Sequence, residues 1–145
     1  MMVVMKEITG PDLCHCLAAR RNARYLTRLY DRHLAAAGVS VSQFSLLAML
    51  AEHPEISIHD LTEIMVMERT TLVRALKPLQ TAGFIHSRAE GPRSALRLSL
   101  SAEGQAKLTQ AQLHWHSAQQ ALEAQVGADR AVAIRASLLT VIPGI

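Results

Sequence analysis

The chain has 145 residues, of which 50% are hydrophobic, 3% aromatic and 19% charged, and its formal net charge is +3. No apolar run approaches the roughly 20 residues that a membrane-spanning helix needs, no secretory segment follows residues 1–5, and two cysteines are too few for a disulfide scaffold. We therefore expect one domain over residues 1–145, located in the cytoplasm and without a membrane partner.

The first predicted helix covers residues 11–37. Asp12 can cap its start, and Gly38 is a natural stop after its last turn. Between these two residues, leucines recur at helical spacing, namely Leu13, Leu17, Leu26, Leu29 and Leu34. The spacing indicates a long amphipathic helix with one apolar face.

Two short helices follow. Ser40 and Gln43 form a capping-box pattern ahead of a buried second helix, which ends before Pro54. Ser57 repeats the capping pattern ahead of a third helix over about residues 57–65. A brief turn then leads into the next helix.

The fourth helix, over about residues 68–80, is predicted to have two different faces. Its apolar face carries Leu72, Leu76 and Leu79. Thr70, Arg74 and Lys77 recur on the other face at the same spacing. Pro78 lacks an amide donor and crowds the carbonyl of Arg74, so the helix either bends at Pro78 or ends near Lys77.

A β-hairpin is predicted next, with strands over residues 84–88 and 95–100 separated by the turn signal Gly91-Pro92. In the second strand, apolar residues alternate with polar ones, which predicts one buried face that carries Leu96, Leu98 and Leu100.

Two more helices complete the chain. Ser101 can cap a long helix whose apolar residues recur in steps of three and four, as in a coiled-coil seam: Leu108, Ala111, Trp115, Ala118 and Leu122. A last helix begins after Gly127 and ends before Pro143. The fold class predicted from these elements is mainly α with a small β-hairpin. The end helices, over residues 11–37 and 102–143, offer more apolar residues than a small core absorbs, which favours a homodimer.

Basic residues are concentrated in residues 68–97. This window holds six basic residues against two acidic ones, so its net charge of +4 exceeds that of the whole chain. A second basic group lies in the first helix and consists of Arg20, Arg21, Arg24, Arg28 and Arg32. The total excess is small, but its distribution favours an anionic partner for the fourth helix and the hairpin.

Two stretches of the sequence resemble the MarR family of transcriptional regulators. Residues 61–85 read LTEIMVMERTTLVRALKPLQTAGFI, which is similar to the family's helix-turn-helix. Residues 100–104 read LSAEG, which is similar to the signature that follows its wing, usually Leu-Thr-x-x-Gly. The resemblance spans about residues 13–142. It implies a winged helix-turn-helix lobe over residues 40–100, flanked by dimerisation helices, and a homodimer on a pseudo-palindromic operator in double-stranded DNA.

We expect the DNA contacts to come from the fourth helix and the wing, because side chains on a helix in the major groove read bases while Arg, Lys and hydroxyl groups bind phosphates. The expected residues are Arg69, Thr70, Thr71, Arg74, Lys77, Arg88, Arg93 and Arg97. The alternative for the helix is an ordinary solvated face. The wing departs from the family's Asp-x-Arg triplet and reads Gly-Pro-Arg-Ser over residues 91–94. Arg93 remains the expected wing-tip contact, in the minor groove or on a phosphate.

The cluster Cys14-His15-Cys16 at the start of the first helix has three interpretations: buried structural cysteines, a redox sensor or a metal sensor. Residues two apart on a helix point roughly 200° apart. Pairing of the two thiols therefore needs a frayed helix start or a second subunit. His114 and His116 have the same spacing, so we expect single, solvated or hydrogen-bonded histidines there. We expect no metal site and no cofactor.

The resemblance also implies a small aromatic or phenolic effector, bound between the dimerisation helices and the DNA-binding lobe. The segment 14–21 with Arg20, and Phe44, Leu47 and Trp115, are then candidates for the pocket, with core packing as the alternative.

The function expected from the sequence is a transcriptional repressor that is released from DNA by such an effector or by thiol oxidation. The alternatives are an architectural DNA binder that senses no ligand and a winged-helix module for protein interaction. We do not expect an enzyme, because the sequence has no phosphate-binding loop, nucleophile motif, paired carboxylates or metal-ligand spacing.

Overall fold

The computed structural model describes residues 6–145. This part of the chain forms six α-helices and one small antiparallel sheet. The helices are α1 (His15–Leu34), α2 (Val41–Glu52), α3 (Ile58–Met65), α4 (Arg69–Thr81), α5 (Ala102–Val126) and α6 (Ala128–Thr140), and the strands are β1 (Ile56–Ser57), β2 (Ile85–Arg88) and β3 (Arg97–Leu100). The prediction of a mainly α fold with a hairpin is confirmed.

The start of α1 differs from the prediction. A 3₁₀ turn over Gly10–Leu13 precedes the helix, and Cys14, in an extended conformation, is the N-cap. The Cys14 Sγ accepts a hydrogen bond from the Leu17 N–H at 3.3 Å. The expectation that Asp12 caps this helix is wrong, because Pro11 favours a separate turn and the Asp12 carboxylate pairs with Arg21 at 2.8 Å. At the other end, a 3₁₀ turn over Ala35–Ala37 leads into Gly38.

The predicted caps of α2 and α3 are confirmed. The Gln43 N–H donates to the Ser40 Oγ at 3.1 Å, and the Ser40 N–H donates to the Gln43 Oε1 at 3.0 Å. The Ser57 Oγ accepts a hydrogen bond from the Asp60 N–H at 3.1 Å. In addition, the Val41 N–H donates to the Asp31 carboxylate at 2.7 Å, which ties the start of α2 to α1.

Helices α3 and α4 are joined by a tight turn in which Val66 has left-handed backbone angles, φ 52° and ψ 49°. A β-branched residue rarely adopts this conformation, which costs an L-residue about 1–2 kcal/mol. Helix α4 then continues through Pro78 to Thr81. The alternative that it ends near Lys77 is therefore wrong.

The sheet has a strand that the sequence did not predict. Its order is β1-β3-β2, with Ile56 opposite Leu98 and Ile85 opposite Leu100. Strand β1 is only two residues long and overlaps the cap of α3, so it has no periodicity of its own. The expected burial of Leu96 is also wrong, because β3 begins at Arg97 and Leu96 lies exposed in the preceding loop.

Leucines form the core between α2, α3, α4 and β3. Those that are almost completely buried are Leu46, Leu47, Leu50, Leu61, Leu72, Leu76, Leu79 and Leu98. Each such side chain contributes about 1.5–3 kcal/mol through its burial. The three leucines of α4 all point into this core, so the opposite face of the helix is turned outward.

The end helices pack outside this core. The predicted seam of α5 is confirmed in part, since Leu108, Ala111 and Ala118 are buried while Trp115 and Leu122 are half-buried. Helix α6 packs on α5 but buries none of its residues. It leaves apolar side chains at the surface, among them Val132, Ile134, Leu138 and Leu139.

Within residues 6–145, no single helix combines the length and the apolar composition needed to cross a membrane. Only the bent pair of segments His15–Ala37 and Val41–Glu52 meets those two criteria together.

Candidate nucleic-acid interface

The outer face of α4 carries a continuous row of polar and basic side chains. Thr70, Arg74 and Lys77 are all exposed, on the side opposite the leucine core. Arg69 and Thr71, at the start of the helix, are exposed as well. Among residues 6–145, no carboxylate forms an ion pair with Arg69, Arg74 or Lys77. These cations are free to bind an external anion.

Two of the expected cations come together from different elements. Arg69 at the start of α4 and Arg97 at the start of β3 line one groove of about 280 Å³, together with His59 and Asp60 of α3. A phosphate in this groove could bind both guanidinium groups, while the Asp60 carboxylate would oppose it. The groove therefore connects the helix to the hairpin along one basic surface.

Arg93 lies in the loop between β2 and β3, at the far end of the hairpin. The loop contains a turn in which the Ser94 N–H donates to the Gly91 carbonyl at 3.1 Å. Arg93 is exposed, and no carboxylate among residues 6–145 pairs with it. The Arg93 side chain can therefore bind an external anion at the tip of the hairpin, although the loop lacks the Asp of the Asp-x-Arg triplet.

Arg88, at the end of β2, differs from the other expected cations because it has an internal partner. Its Nη2 lies 2.6 Å from the Glu55 Oε1 and 3.8 Å from the Glu90 Oε1. The Glu55 N–H in turn donates to the Ser99 Oγ at 3.2 Å. These contacts tie the hairpin, near the end that carries its loop, to the turn after α2. No local pattern marks Glu55, because its role depends on residues 33 and 44 positions away.

Two of the effector candidates meet in the structure. The rings of Phe44 and Trp115 are stacked with their centroids 6.0 Å apart and their planes 20° apart. They line a groove of about 350 Å³ between α2 and α5, whose other residues are Val41, Ser45, Ala48, Met49 and Gln112. Leu47 is instead part of the core, and Arg20 does not line this groove.

Cys14, His15 and Cys16 are all exposed at the start of α1 and do not line this groove either. The interpretation of the two thiols as buried structural cysteines is wrong. Because Cys14 precedes the helix as its N-cap, the helical geometry that separates residues two apart does not hold for this pair. No group of three or more His, Cys, Asp or Glu side chains in residues 6–145 is arranged to hold a metal ion.

A polar cluster that the sequence did not predict lies in a cleft between α1, α5 and α6. The Tyr30 hydroxyl donates to the Gln119 side chain. Burial raises the pKa of Tyr30, the nearby Glu123 carboxylate adds to this effect, and Arg135 opposes it. The remaining walls of the cleft are mostly apolar and include Leu138 and Leu139 of α6.

Comparison with known proteins gives consistent results. A family model described as the MarR family matches residues 39–90. The structure of the M. tuberculosis transcriptional regulator MosR is 32% identical, with a TM-score of 0.77 over 91% of this chain and 97% of that chain. MosR in complex with DNA is 33% identical, with a TM-score of 0.75 over 86% of this chain and 92% of that chain. The oxidised form of MarR from E. coli, 20% identical over 94% of this chain and 97% of that chain, shares the fold with a TM-score of 0.73. No curated protein sequence gave a match.

The ion pair with Glu55 competes with any external anion for the Arg88 guanidinium. Replacing Glu55 with Gln removes the carboxylate closest to Arg88 and frees its guanidinium for a phosphate. We expect Glu55→Gln to bind random-sequence duplex DNA several-fold more tightly. Its plot of log K against log salt concentration should be steeper by about 0.9, the value of one added phosphate contact. Fluorescence anisotropy at several salt concentrations measures both quantities.

The matched control is Glu52→Gln, which removes an exposed carboxylate without an ion pair among residues 6–145, so its salt slope should stay unchanged. The outcome that would contradict this prediction is a salt slope of the Arg88→Ala variant that is shallower by about 0.9 than that of the unmodified protein. Arg88 would then already bind a phosphate in spite of Glu55.

Proposed function

The chain belongs to the MarR family of DNA-binding transcriptional regulators, and we propose that it is a cytoplasmic repressor that binds a pseudo-palindromic operator as a homodimer. The observation that carries the proposal is the outward face of α4, where basic and hydroxyl side chains lie directly opposite three buried leucines. A helix held in this way can enter the major groove with its polar face toward the bases. The solved complex of MosR with DNA supports the same use of the fold.

On the outer face of α4, each side chain has its own part in this proposal. Arg74 and Lys77 are suited to the O6 and N7 acceptors of guanine or to phosphate oxygens, and Thr70 can form a hydrogen bond with either. Arg69 and Arg97 line one groove, where their guanidinium groups are suited to a backbone phosphate. Arg93 at the wing tip is suited to the narrow, electronegative minor groove.

The homodimer is supported by the apolar surface of α6. Leu138 and Leu139 are 44% and 45% exposed, and Val132 and Ile134 are exposed on the same helix. Side chains that are apolar and clustered on one element mark an interface more often than a solvated face. A two-fold dimer would place the two α4 helices about 34–36 Å apart, one turn of DNA, so that both half-sites are read from the same side.

The DNA contact of Arg74 is tested by selecting binding sites from a pool of random duplexes. We expect an inverted repeat with half-site centres about 10 base pairs apart. On the selected operator, Arg74→Ala should weaken binding about 5- to 150-fold, which corresponds to about 1–3 kcal/mol for one base contact, as measured by fluorescence anisotropy.

Arg24→Ala is the matched control, because Arg24 is also an exposed arginine, lies on α1 and has no ion pair among residues 6–145. Equal losses in both variants would show a general charge effect in place of a contact. If the selection enriched no sequence, the proposal of a specific operator would be wrong.

The dimer is tested by charging the apolar surface of α6. The double variant Leu138→Asp, Leu139→Asp should be a monomer at micromolar concentration by light scattering, whereas the unmodified chain should be a dimer. Leu96→Asp is the control, since Leu96 is 44% exposed but lies in the loop before β3, and it should remain a dimer. A monomeric unmodified chain would contradict the proposal.

We further propose that the thiols of Cys14 and Cys16 regulate the repressor. Both are exposed, and Cys14 lies outside the helix that holds Cys16. A hydroperoxide would accept two electrons from the pair. The two S–H groups lose their protons, an S–S bond forms and the O–O bond breaks, giving water and an alcohol, or two waters from hydrogen peroxide. The disulfide would remove the Cys14 cap from the Leu17 N–H and alter the start of α1.

The groove of Phe44 and Trp115 supports a second mode of release, by a small aromatic or phenolic acid. Phe44 is buried, but the half-buried Trp115 ring can contact the ring of a ligand in this groove. The groove lies between α5 and α2, and α2 packs on α4. A ligand in this groove would bear on both elements at once. The two modes use separate parts of the chain and can be tested independently.

Thiol regulation predicts that peroxide lowers the operator affinity of the unmodified chain at least tenfold, and that a reductant restores it. The double variant Cys14→Ser, Cys16→Ser should bind the operator equally before and after peroxide. Anisotropy with added peroxide, and then with dithiothreitol, gives both readings. If peroxide still released the double variant from DNA, the thiol mechanism would be wrong. If phenolic acids but not peroxide released the double variant, the aromatic groove would be the remaining regulatory site.

A further inference from the structure

The turn after α4 and the turn before α5 are bound directly to each other. The Ser101 N–H donates to the Phe84 carbonyl at 2.9 Å, and the Ser101 hydroxyl donates to the Gly83 carbonyl at 2.6 Å. The same Ser101 oxygen accepts from the Gly104 N–H at 3.0 Å, as the cap of α5. Ser101 is buried, so these bonds are shielded from water. We call Gly83, Phe84, Ser101 and Gly104 the α4–α5 clamp.

Gly104 brings the two backbones into contact. A Cβ atom at this position would overlap the Phe84 carbonyl oxygen and would lie 3.0 Å from the Phe84 carbonyl carbon. Gly104 does not have positive φ, so its backbone conformation does not require glycine. Glycine inside a helix costs about 0.5–1 kcal/mol relative to alanine. The close approach to Phe84 is therefore the physical reason for glycine here, and main-chain atoms cannot move aside as a flexible side chain would.

The clamp is also continuous with the last turn of α4. The Phe84 N–H donates to the Leu79 carbonyl at 2.9 Å, and the Gly83 N–H donates to the Gln80 carbonyl at 3.0 Å. On the other side, the Lys107 Nζ donates to the Ala37 carbonyl at 3.0 Å and lies 6.0 Å from the centre of the Phe84 ring. A displacement of Phe84 would thus pass to α4, while α5 stays bound to the 3₁₀ turn that follows α1.

We propose that the α4–α5 clamp is a positioning site for DNA recognition. It sets the angle between α4 and α5, and in the dimer it thereby sets the distance between the two recognition helices. Ser101 and Gly104 do not touch DNA and act through the position of α4. This inference rests on the proposed function, since it concerns how two copies of α4 match the two half-sites of an operator.

The test compares operators whose half-sites are one base pair closer or farther apart than in the selected site. The unmodified protein should bind the selected spacing best. Gly104→Ala pushes Phe84 and the end of α4 away from α5, so its preferred spacing should change by at least one base pair and its affinity for the original operator should fall at least tenfold. Its affinity for random duplex DNA should stay within twofold, because the phosphate-binding cations are intact. Gln105→Ala, an exposed change on the same turn of α5, should behave as the unmodified protein.

A purely structural role of Gly104 would lower the melting temperature and leave the preferred spacing unchanged, and that result would overturn the proposal. If Gly104→Ala does not fold, Ser101→Ala decides, since it removes two hydroxyl hydrogen bonds without adding volume. It should shift or broaden the spacing preference, Ser101→Thr should restore it, and an unchanged preference would overturn the proposal. Failure of the unmodified protein to select any operator would instead contradict the proposed function.

Discussion

The burial of leucine side chains beneath α4 is the interaction on which the rest of the structure depends. Helices α2 and α3 and strand β3 contribute to the same core, and the apolar face of α4 packs into it. Because the helix repeats every 3.6 residues, burying Leu72, Leu76 and Leu79 turns Arg74 and Lys77 outward. The polar surface of α4 is thus a geometric result of the apolar one, and a change in the core would shift this polar surface without altering any of its residues.

Hydrogen bonds at the ends of the helices have a different part from the core. A hydrogen bond between neutral groups contributes about 0.5–1.5 kcal/mol and one to a charged carboxylate such as that of Asp31 about 1.5–3 kcal/mol, no more than the burial of one leucine, but each is directional. Ser40 and Ser57 mark where helices begin, Asp31 ties α1 to α2, and Ser101 ties α4 to α5. Apolar burial thus supplies most of the stability, whereas these polar contacts define the angles between the helices.

Local patterns in the sequence predicted what local physics determines. The spacing of leucines and the Ser caps predicted most helices, and the outward face of α4 followed from the same spacing. What was missed depends on contacts between distant residues. Strand β1 exists only as a partner of β3, Arg88 is held by Glu55, and Phe84 meets Gly104 only after folding. The Cys14 cap was missed because Pro11 starts a separate turn, and a thiol is a rare capping group.

The left-handed conformation of Val66 bears on the autonomy of the helix-turn-helix motif. Its backbone angles are unfavourable for a β-branched residue, and its side chain is 64% exposed and gains little burial in return. The turn between α3 and α4 is therefore not formed by local preference. It is imposed by Leu61 and Leu72, which reach the core on either side of it. A peptide cut to these two helices alone would relax the turn, so the motif is a property of the surrounding protein and not a transferable module.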